Sequence, residues 1–117
     1  MIGDSYTAEG REIIKYAVGA RGIPEATVLN CGKGQKEVAT FCNAFMIRVL
    51  DLDDGHREAM GHPAGVVVSA ALAIGENIGA SGAEVINAIV VGYEVYARIG
   101  KTIRECLNKC VVLAAEA

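Results

Sequence analysis

The sequence predicts an all-α domain, and two observations carry that prediction. Apolar residues recur at helical spacing over several separate stretches, while the one β-prone piece is too short to found a sheet. The second observation is the composition of the core. Hydrophobic residues make up 52% of the 117, yet only 5% are aromatic and tryptophan is absent, so alanine, valine, isoleucine and leucine must fill the interior. Small aliphatic side chains suit closely packed helices. At this length a single domain over residues 1–117, a helical bundle of about four helices, is expected.

The first helix is read over residues 7–21, where Ile13, Ile14, Ala17 and Val18 form the apolar stripe and Glu9, Arg11, Glu12 and Lys15 the wet side. Gly22 and then Pro24 end it, the usual order of stop signals. Residues 26–30 form the β-prone piece, read as a connector, and Cys31-Gly32-Lys33-Gly34 a flexible loop. From Glu37 the spacing of Val38, Phe41, Cys42, Phe45, Met46 and Val49 predicts an amphipathic helix whose last turn delivers Asp51. Pro63 is suited to a first helical position, which makes His62 the N-cap of a third helix. Residues 66–78 are apolar on nearly every face, so this helix is expected to be central, and Gly79 to end it. Ser81-Gly82-Ala83-Glu84 has the spacing of a capping box, opening a fourth helix whose apolar stripe runs from Val85 through Ala97 toward Cys110. Gly92 within it costs roughly 1 kcal/mol relative to alanine, which points to close packing or a local kink.

A formal net charge of -3 and a pI near 5.3 exclude an electrostatic nucleic-acid binder. The apolar run from Ala64 stops at Glu76, short of the roughly 20 residues a bilayer span needs, so no membrane role is expected. No basic n-region followed by an apolar stretch opens the chain, and a cytoplasmic protein is the expectation. The four cysteines, at 31, 42, 106 and 110, show no C-x-x-C spacing. They read as reduced thiols, with Cys42 in the core and Cys106 and Cys110 on one helical face.

Three aspartates and both histidines of the chain fall within the segment from Asp51 to Gly65, between two apolar helices. A polar loop mounted on packed helices is a usual setting for a site. Asp51 and His62 are the expected catalytic pair, facing one cavity within about 10 Å, close enough for a small substrate to hydrogen-bond both. The helix start at 63–66, with Gly65 allowing close approach, would seat a carboxylate or phosphate on free backbone N–H groups. The same dipole disfavours an imidazolium at His62, and a neutral imidazole beside a bound carboxylate can exchange a proton with the adjacent carbon. Asp54 and His56 are the further substrate-binding candidates. Asp51, Asp53, Asp54, His56 and His62 are also competent metal ligands, but their spacing fits neither an EF-hand loop nor a zinc pattern, and no metal is expected. Cap and turn preference alone brings aspartate into such loops. Glu94 and Arg98, four apart on the last helix, can simply pair with each other.

Several motifs together resemble the MmgE/PrpD family. They are Asn43, the run Arg48-Val49-Leu50-Asp51-Leu52-Asp53-Asp54-Gly55-His56, then Gly61-His62-Pro63-Ala64-Gly65, Ala73-Ile74-Gly75-Glu76, Gly79-Ala80-Ser81-Gly82, and the stretch from Gly92 to Gly100. The resemblance covers roughly Gly3 to Gly100 and leaves 101–117 as a poorly matched tail. It implies a part of the family's N-terminal helical domain, with further helices and an α+β lid domain elsewhere in a complete member. It also implies a lyase or isomerase without a cofactor, acting on a small di- or tricarboxylate by dehydration, decarboxylation or epimerisation. Asp51 and His62 carry over as active-site positions. Where the decarboxylase-like pattern has threonine after the aspartate pair, this chain has Gly55-His56, and His56 is expected as an added polar group. By itself the chain is expected to be inactive and to self-associate through apolar helix faces. The alternative reading is a non-catalytic all-α assembly module.

Overall fold

The structure, a computed structural model, describes the backbone of residues 2–20 and 22–115 and side chains as far as residue 106. After a 3₁₀ turn at Asp4–Tyr6 come helix α1 (Ala8–Gly19), strands β1 (Ala26–Val28) and β2 (Gly32–Gly34), and helices α2 (Lys36–Arg48), α3 (Pro63–Ile78) and α4 (Gly82–Ala115). The fold is mostly helical, as the composition predicts. The first helix stops at Gly19 with Ala20 as its C-cap, short of the expected end at Arg21, which itself lies outside the described residues, as does the side chain of Cys110.

Thr7 opens α1 as its N-cap, its hydroxyl accepting from the Gly10 N–H. Ile13 and Ala17 face inward as expected, whereas Val18 faces out. The Gly32-Lys33-Gly34 loop is a strand: it pairs antiparallel with β1, Thr27 opposite Lys33, across a turn in which Asn30 takes a left-handed φ of 60°. Neither glycine carries a side chain with which to display the period of two, so the strand leaves no sequence pattern. Buried Asn43 of α2 completes the little sheet, its Oδ1 accepting from Leu29 N–H at 3.0 Å and its Nδ2 donating to Thr27 C=O at 2.9 Å. Glu76 of α3 takes the Thr27 N–H at 2.6 Å and the Thr27 hydroxyl at 2.8 Å, and pairs with Lys33 at 3.0 Å.

The helices lie in a row. α2 packs on α1 and on α3, and α4 packs on α3. The core is made of Ile13, Ala17, Ala26, Val28, Ala39, Cys42, Met46 and Ala73. On α2 the buried positions are Ala39, Cys42, Asn43 and Met46, so the inward face is rotated from the expected stripe and Phe41 and Phe45 turn toward solvent. Tyr16 meets Phe41 edge to face there, with ring centroids 5.8 Å apart. Cys42 is core as predicted, and burial, with Cys31 nearby, pushes its thiol up to about 11. α3 is less enclosed than its composition implies. It buries a line of small residues, Gly65, Ser69 and Ala73, against its neighbours and leaves Val66, Leu72, Ile74 and Ile78 exposed.

Gly79 ends α3 in the left-handed conformation, φ 66°, its N–H returned to Glu76 and Gly75 carbonyls. The capping box forms as predicted, with Ser81 N–H to Glu84 Oε2 at 2.8 Å and Glu84 N–H to Ser81 Oγ at 3.3 Å. Gly92 marks close packing: a β-carbon there would stand 2.5 Å from Val67 of α3. Among the described residues no helix is long and apolar enough to cross a membrane.

Candidate active site

The loop from 49 to 62 is pinned at both ends and along its length. At its start the Leu50 N–H donates to the Asp4 carboxylate at 3.1 Å, tying the loop to the N-terminal 3₁₀ turn. In its middle His56 and Gly61 exchange backbone hydrogen bonds, N–H to O at 2.8 and 3.4 Å, closing a small loop over 57–60. That small loop rests on α4 through glycine. A β-carbon on Gly100 would lie 2.5 Å from the Ala59 β-carbon and 2.9 Å from its carbonyl oxygen, and one on Gly61 would collide with the Tyr96 hydroxyl.

Asp51 is placed differently from expectation. α2 ends at Arg48, so Asp51 sits in the turn beyond the helix rather than on its last turn. Its φ is 51°, a region aspartate tolerates better than most residues, and its side chain is 78% exposed and paired with Arg48 at 3.2 Å. The inward carboxylate is Asp53. Its side chain is only 2% exposed, and Arg48 donates to its Oδ1 at 2.6 Å. The guanidinium holds the Asp53 carboxyl below its usual range despite burial, and Arg48 is correspondingly pushed up. Arg48 thus links Asp51 to Asp53. Asp53 Oδ2 lies 3.5 Å from His62 Nδ1.

His62 is the N-cap residue of α3, with Pro63 in the first turn, as the sequence predicts, although its side chain makes no capping bond. Its Nδ1 is instead 2.6 Å from the Asp54 carbonyl. A carbonyl can only accept, so Nδ1 carries a proton, and in the neutral ring Nε2 keeps its lone pair. The cap is supplied by Asp54: its Oδ1 accepts from the Ala64 N–H at 3.0 Å. The anion seat at 63–66 is therefore partly filled from within, which corrects the expectation of free donors there. The second Asp54 oxygen accepts from the Tyr93 hydroxyl of α4 at 3.0 Å. Gly65 is buried and faces α2, next to the Ala44 carbonyl and the Arg48 side chain, rather than an open cavity.

His56 is held the other way round from His62. Its Nδ1 accepts from the Ala59 N–H at 3.1 Å, which places the proton of the neutral ring on Nε2. The ring lines a hollow of about 470 Å³ with Tyr93, Glu94 and Ala97 of α4. Glu94 pairs with Arg98 as expected, at 2.6 Å. Among the described residues no group of three or more His, Cys, Asp or Glu is arranged to hold a metal ion.

Tyr93, Arg48 and the inward turn of Asp53 went unassigned as site features in the sequence. Tyr93 reads there as one more member of the α4 apolar stripe, and only the fold brings it to Asp54. Burial, the Asp54 hydrogen bond and the charges of Asp54 and Asp53 push the Tyr93 hydroxyl up to about 12. The folded value lies above the ordinary one near 10, so the bond's contribution to stability is complete below pH 10 and is lost as pH rises through 12. An alkaline titration followed at 295 nm is expected to show a late tyrosinate phase near pH 12, absent from Tyr93→Phe. A wild-type titration complete near pH 10, with no late phase, would overturn the assignment.

A mostly helical domain that carries a histidine at a helix N-cap position and a buried carboxylate on one loop is what fold and site together define. The chain belongs to the MmgE/PrpD family: the model of the MmgE/PrpD N-terminal domain matches residues 2–111, running beyond Gly100 where the resemblance by motif ends. It is similar to cis-aconitate decarboxylase of Aspergillus terreus and of its strain NIH 2624 / FGSC A1156, in each case 40% identical over 80 residues. The match covers 62% of this chain and 16% of the relative, so the chain spans a small part of the curated relatives' length. No solved structure gives a significant match.

Proposed function

We propose that this chain is part of a lyase or isomerase acting on a small di- or tricarboxylate, in which His62 exchanges a proton with a carbon next to a carboxylate. The supporting observation is the commitment of His62 Nδ1 to the Asp54 carbonyl, which leaves Nε2 as an available base on a half-exposed side chain at the start of α3. Proton removal breaks the C–H bond, forms N–H at Nε2 and leaves the electron pair delocalised into the neighbouring carboxylate. Dehydration, decarboxylation and epimerisation share that proton exchange. Asp51 is the second catalytic group in this reading, an exposed carboxylate whose Arg48 partner is also accessible to a substrate anion. Asp54 contributes by fixing His62, and His56 offers an Nε2–H donor toward the α4 hollow. The reaction needs no cofactor in this account.

The test is a titration of the isotope-labelled chain with citrate, a tricarboxylate probe, followed by NMR. Shifts concentrated at His62, Arg48 and the amides of 63–66 are expected, with acetate far weaker. No response to citrate, or an equal response to acetate, would overturn the reading.

A second reading, an assembly module, draws on the exposed face of α4, where Ile86, Val90, Val91, Val95, Ile99 and Ile103 remain uncovered. An apolar face of that length favours association of the chain with itself.

A further inference from the structure

The buried Asp53 carboxylate has one oxygen that the rest of the site leaves unused. Its Oδ1 is satisfied by Arg48, but Oδ2, enclosed by protein, has no hydrogen-bond partner among the described residues. An ionised carboxylate oxygen without a donor is costly in a dry setting and calls for a reason. His62 Nδ1 lies 3.5 Å from it and already meets the Asp54 carbonyl at 2.6 Å. Two acceptors therefore converge on one ring nitrogen. A lone pair at Nδ1 would face both, whereas an N–H there is attracted to both.

We propose that Asp53 is a positioning residue of the site: held by Arg48, it joins the Asp54 carbonyl in fixing His62 in the Nδ1–H form and so makes Nε2 the atom that gains and loses the proton. The inference rests on the reading of His62 as the proton-exchanging group. Asp53 itself touches no substrate in this account. Arg48 keeps it ionised and oriented through Oδ1, and the charge at Oδ2 holds the ring's donor edge inward whether the ring is neutral or protonated. The arrangement removes an ambiguity that a free imidazole has, since free histidine populates both neutral tautomers.

The experiment reads tautomers directly, by long-range ¹H–¹⁵N correlation of the imidazole nitrogens in the 117-residue chain at a pH where the rings are neutral. The chain has two histidines, and His56, with Nδ1 accepting from Ala59, serves as an internal reference in the opposite form. His62 is expected as Nδ1–H and His56 as Nε2–H. In Asp53→Asn the amide oxygen stays with Arg48 and its NH₂ takes the place of Oδ2, so a donor faces Nδ1 in competition with the Asp54 carbonyl, and a measurable share of His62 is expected to move to Nε2–H while His56 stays unchanged. Finding His62 as Nε2–H in the unaltered chain overturns the proposal, and so does a folded Asp53→Asn chain with its tautomer unmoved. Should that variant not fold, Asp53→Ala, which removes Oδ2 without adding a donor, takes its place: faster exchange of the His62 Nδ1–H proton than in the unaltered chain supports the proposal, and an unchanged rate overturns it. No substrate enters this measurement. A correct tautomer with no citrate response would therefore fault the functional reading alone, and a citrate response with the wrong tautomer would fault only the role given to Asp53.

Discussion

Turnover falls roughly 10²- to 10⁴-fold when His62 is replaced by alanine in a full-length family enzyme carrying this loop, the range a positioned acid–base group typically supplies. The expected loss is chemical rather than structural. His62 is 42% exposed and contributes one side-chain hydrogen bond, whose net worth to stability is about 1 kcal/mol or less. The cap of α3 survives its removal, because Asp54 and not His62 holds the Ala64 N–H. Melting temperature and kcat measured on the same preparations give the answer. A large fall in turnover with a nearly unchanged melting temperature is expected, and parallel losses in both would make His62 a structural histidine.

The second large effect is on folding and comes from the other end of the site loop. Gly10 of α1 lies against the 3₁₀ turn so closely that a β-carbon would overlap the Asp4 carbonyl oxygen and stand 2.9 Å from the Ser5 α-carbon. These are backbone atoms, which cannot rotate aside. Gly10→Ala must push the turn off α1, and with it the Asp4 carboxylate that receives the Leu50 N–H at the mouth of the loop. A destabilisation of about 3 kcal/mol is expected, at the upper end of what overpacking costs. Thermal unfolding followed by circular dichroism should show a melting temperature lower by about 10 °C or more. Gly19→Ala is the matched control, since a β-carbon there meets nothing within 4 Å, and it is expected to be neutral or slightly stabilising. Equal melting of the two variants would show that the turn can slide without cost.

The two effects lie at opposite ends of what the sequence makes legible. Helix starts and stops are written in local chemistry, and Pro63, Gly79 and the Ser81–Glu84 box sit where the structure uses them. The β2 strand is hidden because glycine has no side chain to display a period, and the rotated face of α2 because the inward position went to Asn43, which the sheet needs, in place of an aromatic ring. His62 is legible from its place before Pro63. Asp53 and Asp51 are not told apart by sequence: both are aspartates in one loop, and only the left-handed turn at Asp51 sends one outward and the other in. The contact of Tyr93 with Asp54 joins residues 39 apart, beyond any local pattern.

The side chains that finish the small sheet also decide how this chain can meet others. A two-strand ribbon with an open backbone edge is a template onto which a foreign strand can be added, the first step toward fibrous aggregates. Here the Thr27 N–H, the Thr27 carbonyl and the Leu29 N–H are already occupied by Glu76 and Asn43. An incoming peptide would find that stretch of β1 closed and would have to evict two well-seated side chains to pair with it. Along that edge an incoming molecule would meet side chains in place of backbone.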